Sequence, residues 1–347
     1  MNKFIKKPKF LTYRADKMEN YLYDYVSSYR GKTSKYIKNY FGWDNIDPDN
    51  LNKLYSGKAF RPSICILVCT SLSGTLEMAL PPSISVELVH NFSLIHDDIE
   101  DNDKVRRHKP TLWTIWGIPK AIITGNSILV LGNKVLNNMI HNGSSKSDIY
   151  KSQRILTNSY LKMMEGQFLD ISFEKENNIS LEKYLKMISL KTGALIECSV
   201  KLGAIASRKN IDKTLYQLVS SFGRDIGLLF QIRDDLLGVW GTDKTGKPVG
   251  ADIMRKKKSL PIILSLGSKN KMAAKKVNEI FSKKNLEMNN VMDVMNIMDE
   301  LKIKDKCEKI SKNYQTSIEK TINKLPVNNN KKTIFHEISE FLISREN

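Results

Sequence analysis

Apolar residues recur three and four positions apart through long stretches of this 347-residue chain, and that period limits what it can fold into more than any other feature. Residues 84–98, 149–173, 181–206 and 215–239 each carry the pattern, which on an α-helix gathers the apolar side chains on one face. Most of the chain from Asp16 to about Leu342 reads the same way, and no repeated alternation of apolar and polar residues marks a sheet. The expected fold class is therefore all-α, a helical bundle. Pro81-Pro82, Pro110, Gly117-Ile118-Pro119, Gly143 within the polar stretch 141–145, and the glycines of 241–250 read as breaks between helices. Residues 326–332 read as a loop before a last amphipathic segment, 334–343. With no fixed-period repeat and no long Gly/Ser or Pro linker, residues 1–347 are expected to form one domain, with a basic tail over 1–15.

Charge narrows the partners. Lys and Arg number 55 against 37 Asp and Glu, a formal net charge of +18, which suits a polyanion such as a nucleic acid or a diphosphate. No helix-turn-helix, zinc-finger or aromatic RNA-binding signature organises the excess, so nucleic acid is not expected. Much of it is lysine dispersed through an Asn-rich C-terminal third, which also fits a solvated surface. Four scattered cysteines make neither a disulfide framework nor a zinc site, and Cys65 and Cys69, one turn apart in an apolar run, are expected as buried thiols. No apolar stretch reaches the roughly 18 to 20 residues of a membrane span. The basic Met1–Lys9 stretch lacks the apolar core of roughly 7 to 15 residues that a secretory signal needs. A cytoplasmic location is expected.

Chemistry concentrates in two places. Leu94-Ile95-His96-Asp97-Asp98-Ile99-Glu100-Asp101-Asn102-Asp103 puts five acids within seven positions at the end of an apolar helix. Asp97 and Asp101, four apart, share one helical face and can jointly hold a hard, oxygen-seeking ion such as magnesium. Taken alone, the cluster is also readable as a solvated acidic helix end. A calcium loop is disfavoured because no glycine supplies its sharp turn. The second place, Phe230-Gln231-Ile232-Arg233-Asp234-Asp235-Leu236-Leu237-Gly238, again ends an apolar run on an aspartate pair. Two buried carboxylate clusters in one helical protein are best explained by a shared metal–diphosphate site. Elsewhere stand cations suited to phosphate: Lys58, Arg61, Arg106, Arg107, Lys191, Lys247 and Lys257.

Taken together, Gly57-Lys58 with Arg61-Pro62, His90, Asp97-Asp98-x-x-Asp101, Arg106-Arg107, Gly166-Gln167-x-x-Asp170, Lys191-Thr192, Gln231-x-x-Asp234-Asp235 and Gly246-Lys247-x-x-Gly250-x-Asp252 are a specific set. From about Gly57 to Pro261 the chain resembles a trans-isoprenyl diphosphate synthase of the polyprenyl synthetase family. The resemblance implies an isoprenoid-synthase-type bundle around a central cavity and a homodimer. It implies that Asp97, Asp101 and Asp234 bind a cluster of three magnesium ions that clamps an allylic diphosphate, with Asp98 and Asp235 in support. Lys58, Arg61, His90 and Arg107 match an isopentenyl diphosphate pocket. Arg106, Lys191, Thr192, Gln231, Lys247 and Lys257 match contacts to the allylic diphosphate. Two positions depart from the family pattern: Ala59 stands where arginine is common, and Gly238 where the second motif usually ends on aspartate.

The implied reaction condenses isopentenyl diphosphate with dimethylallyl, geranyl or farnesyl diphosphate. Phe92 and Ser93, five and four residues before Asp97, match the positions that set product length. One aromatic at the deeper position, a serine above it, and no insertion within 97–101 resemble archaeal-type geranylgeranyl diphosphate synthases, implying a C20 product. A C15 or C25 product, a terpene cyclase, a non-catalytic subunit of a heteromeric synthase and a basic nucleic-acid binder are the competing readings. The cyclase would have no use for the isopentenyl pocket, and a non-catalytic subunit would not keep both aspartate motifs intact.

Overall fold

The computed structural model describes residues 9–43, 59–107, 109–176, 178–208, 211–241 and 249–344. In chain order these form α1 (Lys9–Ser28), α2 (Ser34–Phe41), α3 (Phe60–Ser71), α4 (Leu76–Glu100), a hairpin of β1 (Val105–Arg106) and β2 (Lys109–Pro110), α5 (Leu112–Trp116) and α6 (Ile118–Lys134). A 3-10 segment, Val135–Asn142, leads to α7 (Lys146–Glu174) and α8 (Leu181–Ile188), and a π-turn, Ser189–Gly193, to α9 (Ala194–Ala206) and α10 (Lys213–Trp240). The rest is α11 (Ala251–Met254), α12 (Leu260–Leu266), α13 (Lys271–Ser282), α14 (Met288–Glu300), α15 (Ile303–Lys324) and α16 (Asn329–Ser344). The all-α expectation holds. Among the described residues no helix is long and apolar enough to cross a membrane, and all four cysteines are buried free thiols.

The chain divides into two compact units, an N-terminal one (Lys7–Tyr160 with Cys198–Val219) and a C-terminal one (Leu161–Glu197 with Ser220–Asn347). The first is built around α4, which packs on α3 and α6. From Ile84 to Ile95 it is buried nearly all round, polar Ser85, Glu87 and Asn91 included, the mark of a helix enclosed by others. Two glycines let α6 approach it. A Cβ at Gly132 would meet the Leu88 Cβ and the Ser85 carbonyl at 3.2 Å, and one at Gly125 would lie 2.7 Å from the His96 ring.

Pro81 and Pro82 do not break a helix, as their sequence suggests; both lie inside α4. Proline at 81 removes the N–H that would bond the Glu77 carbonyl. The Asn142 side-chain amide donates to that carbonyl instead, at 2.7 Å, so this acceptor is not orphaned where the helix continues.

In the second unit α8, α10, α12, α13, α14 and α15 enclose a core of Tyr184, Ile188, Ile232, Leu236, Val239, Leu260, Ile263, Val294 and Ile303. The loop expected over 326–332 is shorter: α16 already begins at Asn329, and the Asn328 side chain accepts from the Lys331 N–H at 3.0 Å, an N-terminal cap the composition had disguised.

Candidate active site

In the N-terminal unit the first aspartate motif closes α4. Carboxylates at a helix C-terminus oppose the helix dipole, so placing Asp97, Asp98, Glu100 and Asp101 there is unfavourable unless cations compensate. One compensation is built in. Asp98 is 2% exposed, and Arg106 Nε donates to its Oδ1 at 2.5 Å from the β1–β2 hairpin. Burial raises the Asp98 pKa, and the Arg106 charge opposes that rise. Asp97 is half-buried and Asp101, the C-cap, is exposed. Beyond the motif, Thr111 Oγ1 and Trp113 Nε1 donate to the Asp103 carbonyl at 2.8 and 2.9 Å and pin the chain as it leaves the helix.

Beside this motif lies a basic cluster. Arg61, on the first turn of α3, places Nη1 3.3 Å from His90 Nε2 on α4. Burial first, then the charges of Arg61, Arg107 and Arg106, push the His90 pKa well below the ordinary imidazole range. The neutral ring therefore accepts from Arg61. Arg107 is exposed in the hairpin turn at φ 51°. Arg61, His90, Arg106 and Arg107 thus lie in one neighbourhood of α3, α4 and the hairpin, although the resemblance sorts Arg106 with the other diphosphate. Phe92 is 4% exposed, its ring edge-on to His96 at 4.6 Å between centroids. The Ser93 hydroxyl donates to the His90 carbonyl at 2.8 Å.

In the C-terminal unit the second motif ends α10. Asp235, 1% exposed, accepts from the Tyr184 hydroxyl, from Gln231 Nε2 at 2.9 Å and from the Leu260 N–H at 2.8 Å. Burial and the Asp235 charge hold the Tyr184 pKa well above the ordinary phenol value, so the proton stays on the donor. Thr192 Oγ1 donates to Gln231 Oε1 at 2.6 Å, which fixes the amide's orientation. Lys257 stands 3.7 Å from Asp235 and 3.8 Å from Asp252. Lys191 pairs with Asp170 at 2.5 Å. Asp234 is half-buried.

Lys191 and Thr192 sit in the π-turn, and two glycines make room for it. A Cβ at Gly166 would lie 2.2 Å from the Lys191 nitrogen, and one at Gly227 would lie 2.6 Å from the Gly193 Cα. Around these groups is a cavity of about 60 Å³ lined by Asp170, Tyr184, Lys191, Thr192, Gln231, Asp235, Lys257, Lys258 and Ser259 with Met187 and Ile188. It has room for a few waters. Lys58 and Lys247 lie outside the described residues.

Among the described residues no three His, Cys, Asp or Glu side chains gather into a metal-sized group. The donor set is nonetheless hard and all-carboxylate, with Asp97 and Asp101 one turn apart. That fits an ion held by one or two carboxylates and completed by phosphate oxygens, the usual coordination of magnesium.

Sequence reasoning named most of these groups. It passed over Tyr184, which reads as an ordinary apolar position of α8, and gave no role to Asp170 or Asp252, although both stand in matched motifs. A family model described as polyprenyl synthetase matches residues 49–298. A farnesyl diphosphate synthase of Mycobacterium tuberculosis is 35% identical over 227 residues, 65% of this chain and 61% of that protein. A geranylgeranyl diphosphate synthase of the same organism is 36% identical over 235 residues, 67% and 65%. The match to these relatives thus spans less than two thirds of their length. The solved geranylgeranyl pyrophosphate synthetase of Pyrococcus horikoshii superposes with a TM-score of 0.84 at 27% identity, covering 96% of this chain and 97% of that one.

Proposed function

Because the chain belongs to the polyprenyl synthetase family, we propose that it is a magnesium-dependent, short-chain trans-prenyltransferase condensing isopentenyl diphosphate with an allylic diphosphate, with geranylgeranyl diphosphate as its main product. The carrying observation is the division of roles inside each aspartate motif. Asp98 and Asp235 are buried and clamped by protein donors, whereas Asp97, Asp101 and Asp234 are more open. That is the arrangement expected when one carboxylate supports its neighbours and the neighbours meet cations from solution. The reading treats residues 1–347 as one catalytic domain, and the family match across 49–298 supports it.

Asp97, Asp101 and Asp234 would hold the magnesium ions, three by family resemblance, which when bound supply positive charge to the leaving diphosphate. Arg106, Lys191, Lys247 and Lys257 take the allylic diphosphate; Lys58, Arg61, His90 and Arg107 take isopentenyl diphosphate. The allylic C–O bond breaks with its electron pair leaving on the diphosphate. The isopentenyl double bond attacks the resulting allylic cation to form the new carbon–carbon bond. Loss of a proton to the departed diphosphate then restores a double bond in a chain five carbons longer. The Thr192 and Gln231 oxygens, locked by their mutual hydrogen bond, present partial negative charge to the cation without reorganising. The exposed apolar residues Ile118, Ile122, Ile123 and Val130 on α6 support a homodimer, and four free thiols fit a reducing cytoplasm.

Incubation with magnesium, radiolabelled isopentenyl diphosphate and primers of increasing length tests the proposal. Asp97→Ala and Asp234→Ala should abolish turnover with the fold intact; near-wild-type activity of either at saturating magnesium refutes the metal assignment. Arg61→Ala and His90→Ala should raise the isopentenyl KM more than the allylic KM. The farnesyl and geranylgeranyl relatives are equally similar, so identity does not choose the product length. The aromatic Phe92 with Ser93 above it favours C20, and Phe92→Ala should lengthen the products.

A further inference from the structure

The segment after the second motif folds back on it. The Gly250 N–H donates to the Val239 carbonyl at 3.0 Å, the Lys257 N–H to the Asp252 carbonyl at 2.9 Å, and the Leu260 N–H to the Asp235 carboxylate. The Lys257 turn is closed by Lys256 at φ 56°. These bonds bring the Asp252 carboxylate against the backbone of Gly238. A Cβ on Gly238 would lie 2.2 Å from Asp252 Oδ2, 2.3 Å from its Cγ and 2.7 Å from its Oδ1. Position 238 is thus glycine because another carboxylate already fills the space its side chain would use. Asp252 is 5% exposed, and a buried carboxylate needs a reason to be there.

That reason lies on its other side. Lys257 Nζ stands almost equidistant from Asp235 and Asp252, at 3.7 and 3.8 Å, and its side chain is 39% exposed while theirs are 1% and 7%. At those distances each carboxylate attracts the ammonium as a charge, and neither forms a hydrogen bond with it. It lines the same cavity as Lys191. We propose that Asp252 is a positioning residue which, admitted by Gly238, works with Asp235 to aim the Lys257 ammonium at the diphosphate of the allylic substrate. This deepens, and rests on, the prenyltransferase reading.

The test uses the full chain and two measurements. With magnesium and inorganic diphosphate as the calorimetric probe, Asp252→Asn, which keeps size and removes charge, should weaken binding about fivefold. It should raise the allylic KM by a similar factor while leaving the isopentenyl KM and kcat within about twofold. In a Lys257→Met background the same change should have no further effect on the diphosphate Kd. In thermal unfolding, Gly238→Ala should lower the midpoint in the wild-type background and much less beside Asp252→Ala, which vacates the space. A diphosphate Kd insensitive to Asp252→Asn, or an effect that persists in Lys257→Met, overturns the positioning role. Additive unfolding shifts overturn the steric coupling. A wild-type chain without prenyl transfer, but with diphosphate binding that follows these rules, overturns the reading of activity alone.

Discussion

Asp98 and Asp235 hold the same place in their motifs and are almost equally buried, yet their carboxylates are met by different partners. Asp98 faces one guanidinium from a two-stranded hairpin, at a helix end whose dipole works against it. Asp235 faces a phenol, an amide and a backbone N–H, all neutral, with a lysine at longer range. A charge balanced by one cation depends on that cation and on pH, whereas a charge solvated by several dipoles depends on packing. One motif rests on electrostatics, the other on geometry.

The most severe way to break the comparison is Asp235→Ala. It strands the Tyr184 hydroxyl, the Gln231 amide and the Leu260 N–H, and at roughly 1–3 kcal/mol per orphaned donor the loss should be about 4 kcal/mol or more. Urea titration measures it, and a loss under about 1 kcal/mol means the donors find other acceptors. Arg106→Met should cost about 2 kcal/mol, below the range for a fully enclosed pair because Arg106 is partly exposed. Its signature is pH. A carboxyl whose folded pKa is raised contributes stability at low pH that is lost as pH rises through that pKa, so the variant should recover relative to wild type on acidification.

Tyr184→Phe removes one donor of several and should cost about 1.5 kcal/mol. The loss should be constant across neutral pH because the phenol keeps its proton. The smallest effect belongs to His90. Its folded pKa is depressed, so the unfolded chain takes up the proton first and stability falls as pH drops below about 6.5. Relative to His90→Gln, wild type should lose about 0.8 kcal/mol by pH 6.

The helices and both motifs were legible because apolar periodicity and acids ending apolar runs are each too unfavourable to arise without a structural purpose. What stayed hidden depends on backbone geometry that no residue type announces. Pro81 and Pro82 read as a break because the acceptor that proline strands is met from Asn142, far away in the chain. Tyr184 is invisible in a pattern that counts a phenol as apolar. Gly238 reads as a defect until the fold-back of 250–260 brings in Asp252. Residues 181–206 read as one helix, and nothing in their period betrays the π-turn at Ser189–Gly193.

That turn acts as a phase shifter. One extra residue in a helical turn advances everything beyond it by about 100° around the axis relative to an uninterrupted helix. Tyr184, Met187 and Ile188, ahead of the turn, pack in the core and line the cavity beside Lys191 and Thr192, which the turn itself brings to Asp170 and Gln231. Deleting a single residue here would leave composition, charge and helix content almost untouched, yet it would set the lysine and the threonine to the wrong hour of the clock face.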